Sequence, residues 1–269
     1  MIKIIATGKG GAGKTTVIAT LSRLLSRQGF RVLVIDTDPS MNLAMSLGIP
    51  FTTTRTLTED KIGIREQLLG DEPDDEPCHG HPHRHPPPVS IEELLRLYEV
   101  YAQDNVRVLV MGTIPYGGAG CICSSISLVK ILIEQIASRT DRYDFVIIDS
   151  QAGSEILGRG LAVDFDYNLI VTEAFPKSME VARHVMKLAG DLRIKKQVVI
   201  VNKVKEGDET GRVAKELCLN GETLYPVRYD ERVAEADRNG LLILDSAPDS
   251  LPVGDIRAVM EMIKETCSS

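Results

Sequence analysis

Short runs of apolar and largely β-branched residues recur along the chain and predict strands. Several of these runs are continuously hydrophobic, which is typical of parallel strands that are covered on both faces. The predicted strands cover residues 2–7, 31–36, 106–112, 143–149, 167–172, 197–202 and, more weakly, 223–227.

Segments with helical periodicity lie between these runs. Gly29 follows the first of them and suits a helix C-terminus, and Ser90 with Glu93 forms a capping-box pattern before the second. The predicted helices cover residues 15–28, 90–103, 124–138, 180–192, 208–217, 230–238 and 255–266. Because strands and helices alternate, we expect an α/β fold with a doubly wound, mostly parallel sheet and helices on both faces.

One stretch breaks this alternation. Residues 70–88 read GDEPDDEPCHGHPHRHPPP, with six prolines and no apolar periodicity. This composition predicts an exposed, disordered insert within a single domain that spans residues 1–269.

Composition narrows the class of protein. The chain has 269 residues, of which 43% are hydrophobic, so one sizeable core is expected. With 31 Lys and Arg against 38 Asp and Glu, the net charge of −7 disfavours nucleic acid as the main partner. No apolar run is long enough for a membrane span, and the first strand leads into a glycine-rich loop, so we expect a cytoplasmic protein. The five cysteines are then expected to be reduced thiols that are available for metal.

The strongest chemical signal directly follows the first predicted strand and opens a helix. The segment GKGGAGKTT fits the phosphate-loop pattern, in which glycines let backbone N–H groups close around phosphate oxygens. Lys14 is the candidate ligand for the β- and γ-phosphates, and the Thr15 hydroxyl is the candidate Mg²⁺ ligand. The predicted nucleotide-binding residues of this loop are Gly8, Lys9, Gly10, Gly11, Ala12, Gly13, Lys14, Thr15 and Thr16.

Acidic residues end two of the predicted strands. Asp36 and Asp38 follow the second strand, and Asp149 ends the strand YDFVIID. Ligands bind at the carboxyl edge of such sheets, so these aspartates are expected beside the phosphate loop. We expect Asp149 to hold Mg²⁺ through water and Asp38 to orient the attacking water.

Lys9, one residue after the first loop glycine, makes this segment resemble the deviant phosphate loop of the partition, cell-division and nitrogenase iron-protein ATPases. The resemblance implies a Mg²⁺-dependent ATPase that binds ATP and ADP and forms a homodimer with the nucleotides between its subunits. Lys9 would then reach the phosphates of the partner subunit and act in catalysis together with Lys14 and Asp38.

Further motifs extend this resemblance to about residue 240. Asp36-x-Asp38-Pro39 and Asp149-x-x-Ala152-Gly153 look like the two switch motifs of these ATPases. The same resemblance implies further nucleotide contacts, with adenine read by Asn202 and Lys203 and, less clearly, by Pro226 within Tyr225-Pro226-Val227.

A cysteine pair precedes the predicted helix at residue 124. In extended backbone the sulfurs of Cys121 and Cys123 point to the same side, and a helix N-terminus favours the thiolate that a metal needs. A closed tetrahedral site takes four ligands, so a two-fold axis through this loop would complete one between two chains. The alternative is a pair of small buried apolar side chains.

With this pair, the chain resembles the CooC-type accessory ATPases, which help to insert nickel into carbon monoxide dehydrogenase. The resemblance implies an ATP-dependent dimer that binds Ni²⁺, or Zn²⁺, between its Cys-x-Cys pairs and has a nickel enzyme as its client.

The insert is a departure from that pattern. It carries further candidate nickel ligands, namely Cys78, His79, His81, His83 and His85. Imidazole suits Ni²⁺, so the run either captures metal or is a solvated insert without a role.

Two other functions fit the phosphate loop. An electron-transfer iron protein would hold a [4Fe-4S] cluster at the dimer interface, but its cluster cysteines are far apart in sequence, whereas Cys121 and Cys123 are nearly adjacent. A partition or positioning ATPase would call for a basic face or a basic amphipathic last helix. The last predicted helix has mixed charges beside its apolar stripe, so we expect it to pack on the core.

Overall fold

The computed structural model describes residues 1–50, 55–58, 64, 90–112, 123–139, 141–205, 207–219 and 221–265. These residues form eight strands, one sheet and helices on both of its faces. The strands are β1 (Ile2–Gly8), β2 (Val32–Asp36), β3 (Val100–Tyr101), β4 (Arg107–Val110), β5 (Phe145–Asp149), β6 (Tyr167–Thr172), β7 (Lys196–Val204) and β8 (Leu224–Arg228).

The helices lie between these strands and after the last one. They are α1 (Lys14–Arg27), α2 (Asn42–Ser46), α3 (Ile91–Tyr98), α4 (Cys123–Arg139), α5 (Glu155–Gly158), α6 (Pro176–Asp191), α7 (Glu209–Glu216), α8 (Glu231–Arg238), α9 (Ile243–Ser246) and α10 (Leu251–Glu265).

The strand order in the sheet is β3-β4-β2-β5-β1-β6-β7-β8. Neighbouring strands are parallel except for β3, which runs antiparallel to β4 at the edge. From β1 the chain reaches β2 on one side, and it later crosses to β6 on the other side, so the sheet is doubly wound around β1. This arrangement confirms the predicted fold class and places the carboxyl end of β1 where ligands bind in such sheets.

The core consists of two hydrophobic layers, one on each face of the sheet. Ile4 belongs to the layer that α1 and α10 cover, whereas Ile5 belongs to the layer that α4 and α6 cover. Both side chains are fully buried. The continuous hydrophobic runs of the central strands are explained by this burial on both faces.

Several helix ends are as predicted and several differ. Gly29 lies just past α1 with a φ of 92°, and the Ser90–Glu93 capping box is present at the start of α3. However, α3 ends at Tyr98 rather than at 103, because Val100 and Tyr101 pair with β4 as a strand. α6 begins at Pro176 rather than at 180, since proline suits the first turn of a helix. α10 likewise begins early, at Leu251.

The last helix packs on the core, as predicted. Its apolar residues Val253, Ile256, Val259, Met260 and Ile263 are buried and belong to the layer shared with α1. Within the ranges given above, no helix is both long and apolar enough to cross a membrane. The insert at 70–88 lies outside the described residues.

Candidate active site

The phosphate loop joins β1 to α1 at the carboxyl edge of the sheet. Gly8 has a φ of 139°, and a Cβ there would lie 2.1 Å from the Val171 carbonyl oxygen, so only glycine permits this approach of β1 to β6. Gly13 precedes α1 with a φ of 98°, and a Cβ there would lie 2.2 Å from Asn202 Nδ2. The loop therefore depends on both glycines.

Two adjoining cavities lie beside this loop. The larger has a volume of about 530 Å³ and is lined by Asp38 and by the loop residues Gly10, Gly11, Gly13, Lys14, Thr15 and Thr16. The smaller has a volume of about 290 Å³ and is lined by apolar side chains that include Val17, Val227 and Ile256. A polar cavity beside an apolar one suits a nucleotide, with phosphates in the first and a base in the second.

Lys14 is buried beneath the loop. Its Nζ donates to the Gly8 carbonyl oxygen at 3.3 Å and lies 3.5 Å from the Lys9 carbonyl oxygen. Burial lowers the pKa of Lys14, while the charges of Asp149 and Asp38 raise it. The ammonium is thus held at the wall of the larger cavity, where it can neutralise a phosphate oxygen.

Thr15 and Asp149 together offer oxygen ligands to a metal. Thr15 Oγ1 donates to Asp149 Oδ2 at 2.8 Å, and the other carboxylate oxygen is buried with no hydrogen-bond partner among the described residues. Burial raises the pKa of Asp149 to about 6, although the Thr15 hydrogen bond and Lys14 lower it. A hydroxyl beside a carboxylate with an unused oxygen fits Mg²⁺, which prefers hard oxygen ligands.

The two aspartates at the end of β2, one in its last position and one just past it, differ in their surroundings. Asp36 is fully buried, accepts the N–H groups of Asp38 and Leu43 at 3.0 and 3.1 Å, and lines neither cavity. Burial and the nearby Asp149 raise its pKa to about 8. Within this chain Asp36 shapes the turn that follows β2 from inside the core, and its predicted contact with the nucleotide stays a prediction. Asp38 lines the larger cavity, and its Oδ1 accepts a hydrogen bond of 2.9 Å from Ser40 N.

Lys9 lies on the outer side of the loop. Its Nζ donates to the Gly10 carbonyl oxygen at 3.3 Å and lies 5.5 Å from the centre of the Phe175 ring. Phe175 is exposed and precedes α6. Within one chain, the Lys9 ammonium is therefore directed toward the turn between β6 and α6.

Asn202 and Lys203 support the loop from β7. Asn202 Nδ2 donates to the Ala12 carbonyl oxygen at 2.7 Å, and Lys203 Nζ donates to the Gly11 carbonyl oxygen at 2.7 Å. Lys203 has a φ of 60° at a bulge in β7 and also forms an ion pair of 2.8 Å with Glu173. Bulges beside active sites redirect side chains in this way. Both residues line the smaller cavity, but their polar groups hold the loop.

The second predicted base contact is displaced along the chain. Pro226 lies within β8, where it pairs with Val201, and it lines neither cavity. The four residues that follow it, 227–230, contribute to the lining of the smaller cavity.

Cavity-lining residues outside every motif were not predicted. Asn42, Met45 and Ser46 of α2 line the larger cavity, as does Leu241. Asp237 of α8 lines both cavities. Helix α2 has five residues, too few for an apolar period to predict it.

The predicted metal ligands fall largely outside the described residues. Cys121, Cys78, His79, His81, His83 and His85 all lie there. Cys123 is the first residue of α4, and its side chain is also outside the description. In the part of the chain that is described, no three His, Cys, Asp or Glu side chains come together as a metal site.

The fold and the phosphate loop define a P-loop ATPase, and comparison with known proteins agrees. Residues 3–243 match the CobQ/CobB/MinD/ParA nucleotide binding domain. The chain is 32% identical over 263 residues to the carbon monoxide dehydrogenase accessory protein CooC of Rhodospirillum rubrum, covering 92% of this chain and 91% of that protein. It is 35% identical over 254 residues to an uncharacterized ATP-binding protein of Methanocaldococcus jannaschii, covering 91% and 92%.

A solved structure shows the same fold. The septum site-determining protein MinD of Pyrococcus horikoshii, complexed with Mg-ADP, superposes with a TM-score of 0.72 at 21% identity. The match covers 99% of this chain and 98% of that one. The chain belongs to the CobQ/CobB/MinD/ParA family and is a MinD/ParA-type ATPase close to CooC.

Proposed function

We propose that this ATPase is a nickel metallochaperone, which binds Ni²⁺ through Cys121 and Cys123 and assists its insertion into a nickel enzyme such as carbon monoxide dehydrogenase. The observation that carries the proposal is the 32% identity to CooC along 92% of the chain, in a sequence that has a Cys-x-Cys motif whose second cysteine begins α4.

The topology supports a link between the cysteine pair and the nucleotide. β4 ends at Val110, on the same edge of the sheet as the phosphate loop, because β1 and β4 run in the same direction. α4 begins at Cys123 and leads back to β5, so its first turn also lies toward that edge. The first turn of α4, which begins at the second cysteine of the pair, is thus on the edge of the sheet that carries the ATP site.

Within the ATP site we assign roles from the contacts described above. Lys14 and the N–H groups of the loop bind phosphate oxygens, as the helix N-terminus and glycine turns allow. Thr15 would hold Mg²⁺ directly and Asp149 through water, and the ion would neutralise charge on the β- and γ-phosphates. Asp38, at the wall of the larger cavity, accepts a hydrogen bond from the attacking water and orients it. Asn202 and Lys203 fix the loop beside the base.

Dimerisation completes the site in this proposal. Lys9 turns from Phe175 toward the phosphates of the partner subunit when the nucleotide lies between two chains. Its contact with an exposed ring is worth only about 0.5–1 kcal/mol, so a phosphate readily displaces it. Four thiolates, two from each chain, then surround one metal ion.

Metal titration of the dimer tests this assignment. We expect Ni²⁺ or Zn²⁺ to drive dimerisation with one ion per dimer, measured by light scattering and elemental analysis after anaerobic purification. To isolate the site, residues 77–88 are deleted, and this protein is compared with its Cys121→Ser/Cys123→Ser variant. Cys218→Ser is the matched control, since Cys218 is an exposed free thiol outside the pair. Equal metal-driven dimerisation of the double serine variant, or one ion per monomer, would refute the shared site. A brown protein that absorbs at about 400 nm would instead favour the iron–sulfur alternative.

A partition or positioning ATPase is the other candidate from the same family. Such proteins would use a basic face or a basic terminal helix, whereas this chain carries a net charge of −7. The apolar side of α10 is buried in the core and is not available for a membrane surface. These observations favour the metallochaperone.

A further inference from the structure

The two cavities of the ATP site meet at a common wall. Gly11, Gly13, Thr16 and Asp237 line both of them. The first three belong to the phosphate loop and the first turn of α1, whereas Asp237 comes from α8. A nucleotide with its phosphates in one cavity and its base in the other must place its ribose at this wall.

The position of Asp237 is fixed by its helix. Asp230 caps α8 by accepting a hydrogen bond of 3.0 Å from Arg232 N, and the neighbouring Ala236 is buried. Val233 lies one helical turn before Asp237 and lines the smaller cavity, so the two residues share the face that is directed at the site. α8 therefore presents the carboxylate to the wall between base and phosphates.

The other carboxylates that line the cavities already have partners. Asp230 accepts hydrogen bonds from Arg232, and Asp38 accepts two from Ser40. For the Asp237 carboxylate the structure shows no hydrogen bond or ion pair with any described residue. A carboxylate accepts hydrogen bonds without donating them, and it repels phosphate. Of the parts of a nucleotide, only the ribose hydroxyls and the exocyclic amine of the base donate hydrogen bonds. The ribose lies at the wall between the cavities, so its hydroxyls are the donors nearest to Asp237.

We propose that Asp237 accepts hydrogen bonds from the ribose hydroxyls of the bound nucleotide, and that it makes the site selective for ribonucleotides over deoxyribonucleotides. This inference concerns only the ATP site and is independent of the nickel assignment.

Calorimetric titration of the full chain in Mg²⁺-containing, nickel-free buffer tests it, with ADP, 2′-deoxy-ADP and 3′-deoxy-ADP as ligands. Diphosphates avoid turnover during the measurement. The unaltered protein should bind ADP about tenfold more tightly than at least one deoxy analogue, since a hydrogen bond to a charged group is lost. Asp237→Ala should bind ADP about tenfold more weakly and should bind all three ligands equally. Asp237 is exposed, so the variant is expected to fold.

Glu235→Ala is the matched control, because Glu235 is an exposed acid on α8 that lines neither cavity. It should keep both the affinity and the selectivity. The proposal is overturned if the unaltered protein binds the three ligands equally, or if Asp237→Ala keeps the preference for ADP. It is also overturned if Asp237→Ala binds ADP more tightly, since that would show simple repulsion of phosphate. None of these results bears on the metal stoichiometry at Cys121 and Cys123.

Discussion

The Thr15 hydroxyl donates a hydrogen bond of 2.8 Å to Asp149 and so joins the first turn of α1 to the carboxyl end of β5. This bond satisfies one carboxylate oxygen and leaves the other buried without a partner in the described structure. The site thus keeps an unpaired acceptor where an ionised carboxylate has lost its solvation by water, and this burial raises the pKa of Asp149 to about 6. A cation bound here would relieve that cost.

The raised pKa values predict how stability depends on pH. Asp149 and Asp36 titrate at about 6 and about 8 in the folded chain, against 3.8 for the ordinary aspartate. Between the ordinary pKa and these raised values, the folded state binds more protons than the unfolded state. The contribution of the two aspartates to the free energy of unfolding therefore falls as pH rises from about 4 to about 8. Mg²⁺ and ATP favour ionised Asp149, so the thermal shift that they produce should grow with pH.

Thermal unfolding at about pH 5 and pH 8, with and without Mg²⁺ and ATP, checks this prediction. Asp149→Asn should show a flatter pH dependence of the nucleotide-free melting temperature. The prediction would be contradicted if, without nucleotide, the melting temperature of the unaltered protein rose with pH relative to that of Asp149→Asn.

Lys14 and Asp38 should differ in what their loss removes. Lys14→Ala should abolish ATP binding and turnover, because the buried ammonium lies at the wall of the phosphate cavity. Asp38→Ala should still bind ATP but lose at least about a hundredfold in turnover, since only positioning of the water is lost. Phosphate release and calorimetric binding separate the two effects. Full turnover in either variant would refute the role assigned to that residue. Asp191→Ala serves as the control, because Asp191 is exposed at the end of α6.

The sequence predicted the sheet because its central strands are buried on both faces, and Ile4 and Ile5 therefore sit in one unbroken apolar run. It did not predict β3, since two residues become a strand only by pairing with β4. The phosphate loop was predictable because local backbone geometry requires its glycines. Long-range burial and packing were not predictable from the sequence. Asp36 and Asp38 look equivalent in sequence, yet Asp36 is enclosed in the core. Asp237 reaches the site only because α8 packs beside it.

Replacing Asn202 tests whether this residue contacts the base, as predicted, or instead supports the phosphate loop. Its amide N–H group donates to the Ala12 carbonyl oxygen at 2.7 Å. Asn202→Ala should therefore weaken ATP and GTP binding by the same factor, roughly fivefold for a net loss of about 1 kcal/mol. Competition titrations with both nucleotides measure this ratio. A selective loss of ATP binding would restore the adenine-reading role that the resemblance implies.

The histidine run should add metal capacity without affecting catalysis. Deleting residues 77–88 removes Cys78 and the four histidines of the insert, and it leaves in place every cavity-lining residue named above. Imidazole binds Ni²⁺ well, so calorimetry should show fewer or more weakly bound Ni²⁺ ions, while turnover and melting temperature stay unchanged. A length-matched control replaces His79, His81, His83 and His85 with serine, which separates the loss of ligands from the loss of chain. If both variants bind nickel with unaltered stoichiometry and affinity, the run is inert. If the deletion alone lowers binding, Cys78 or the backbone, and not imidazole, is responsible.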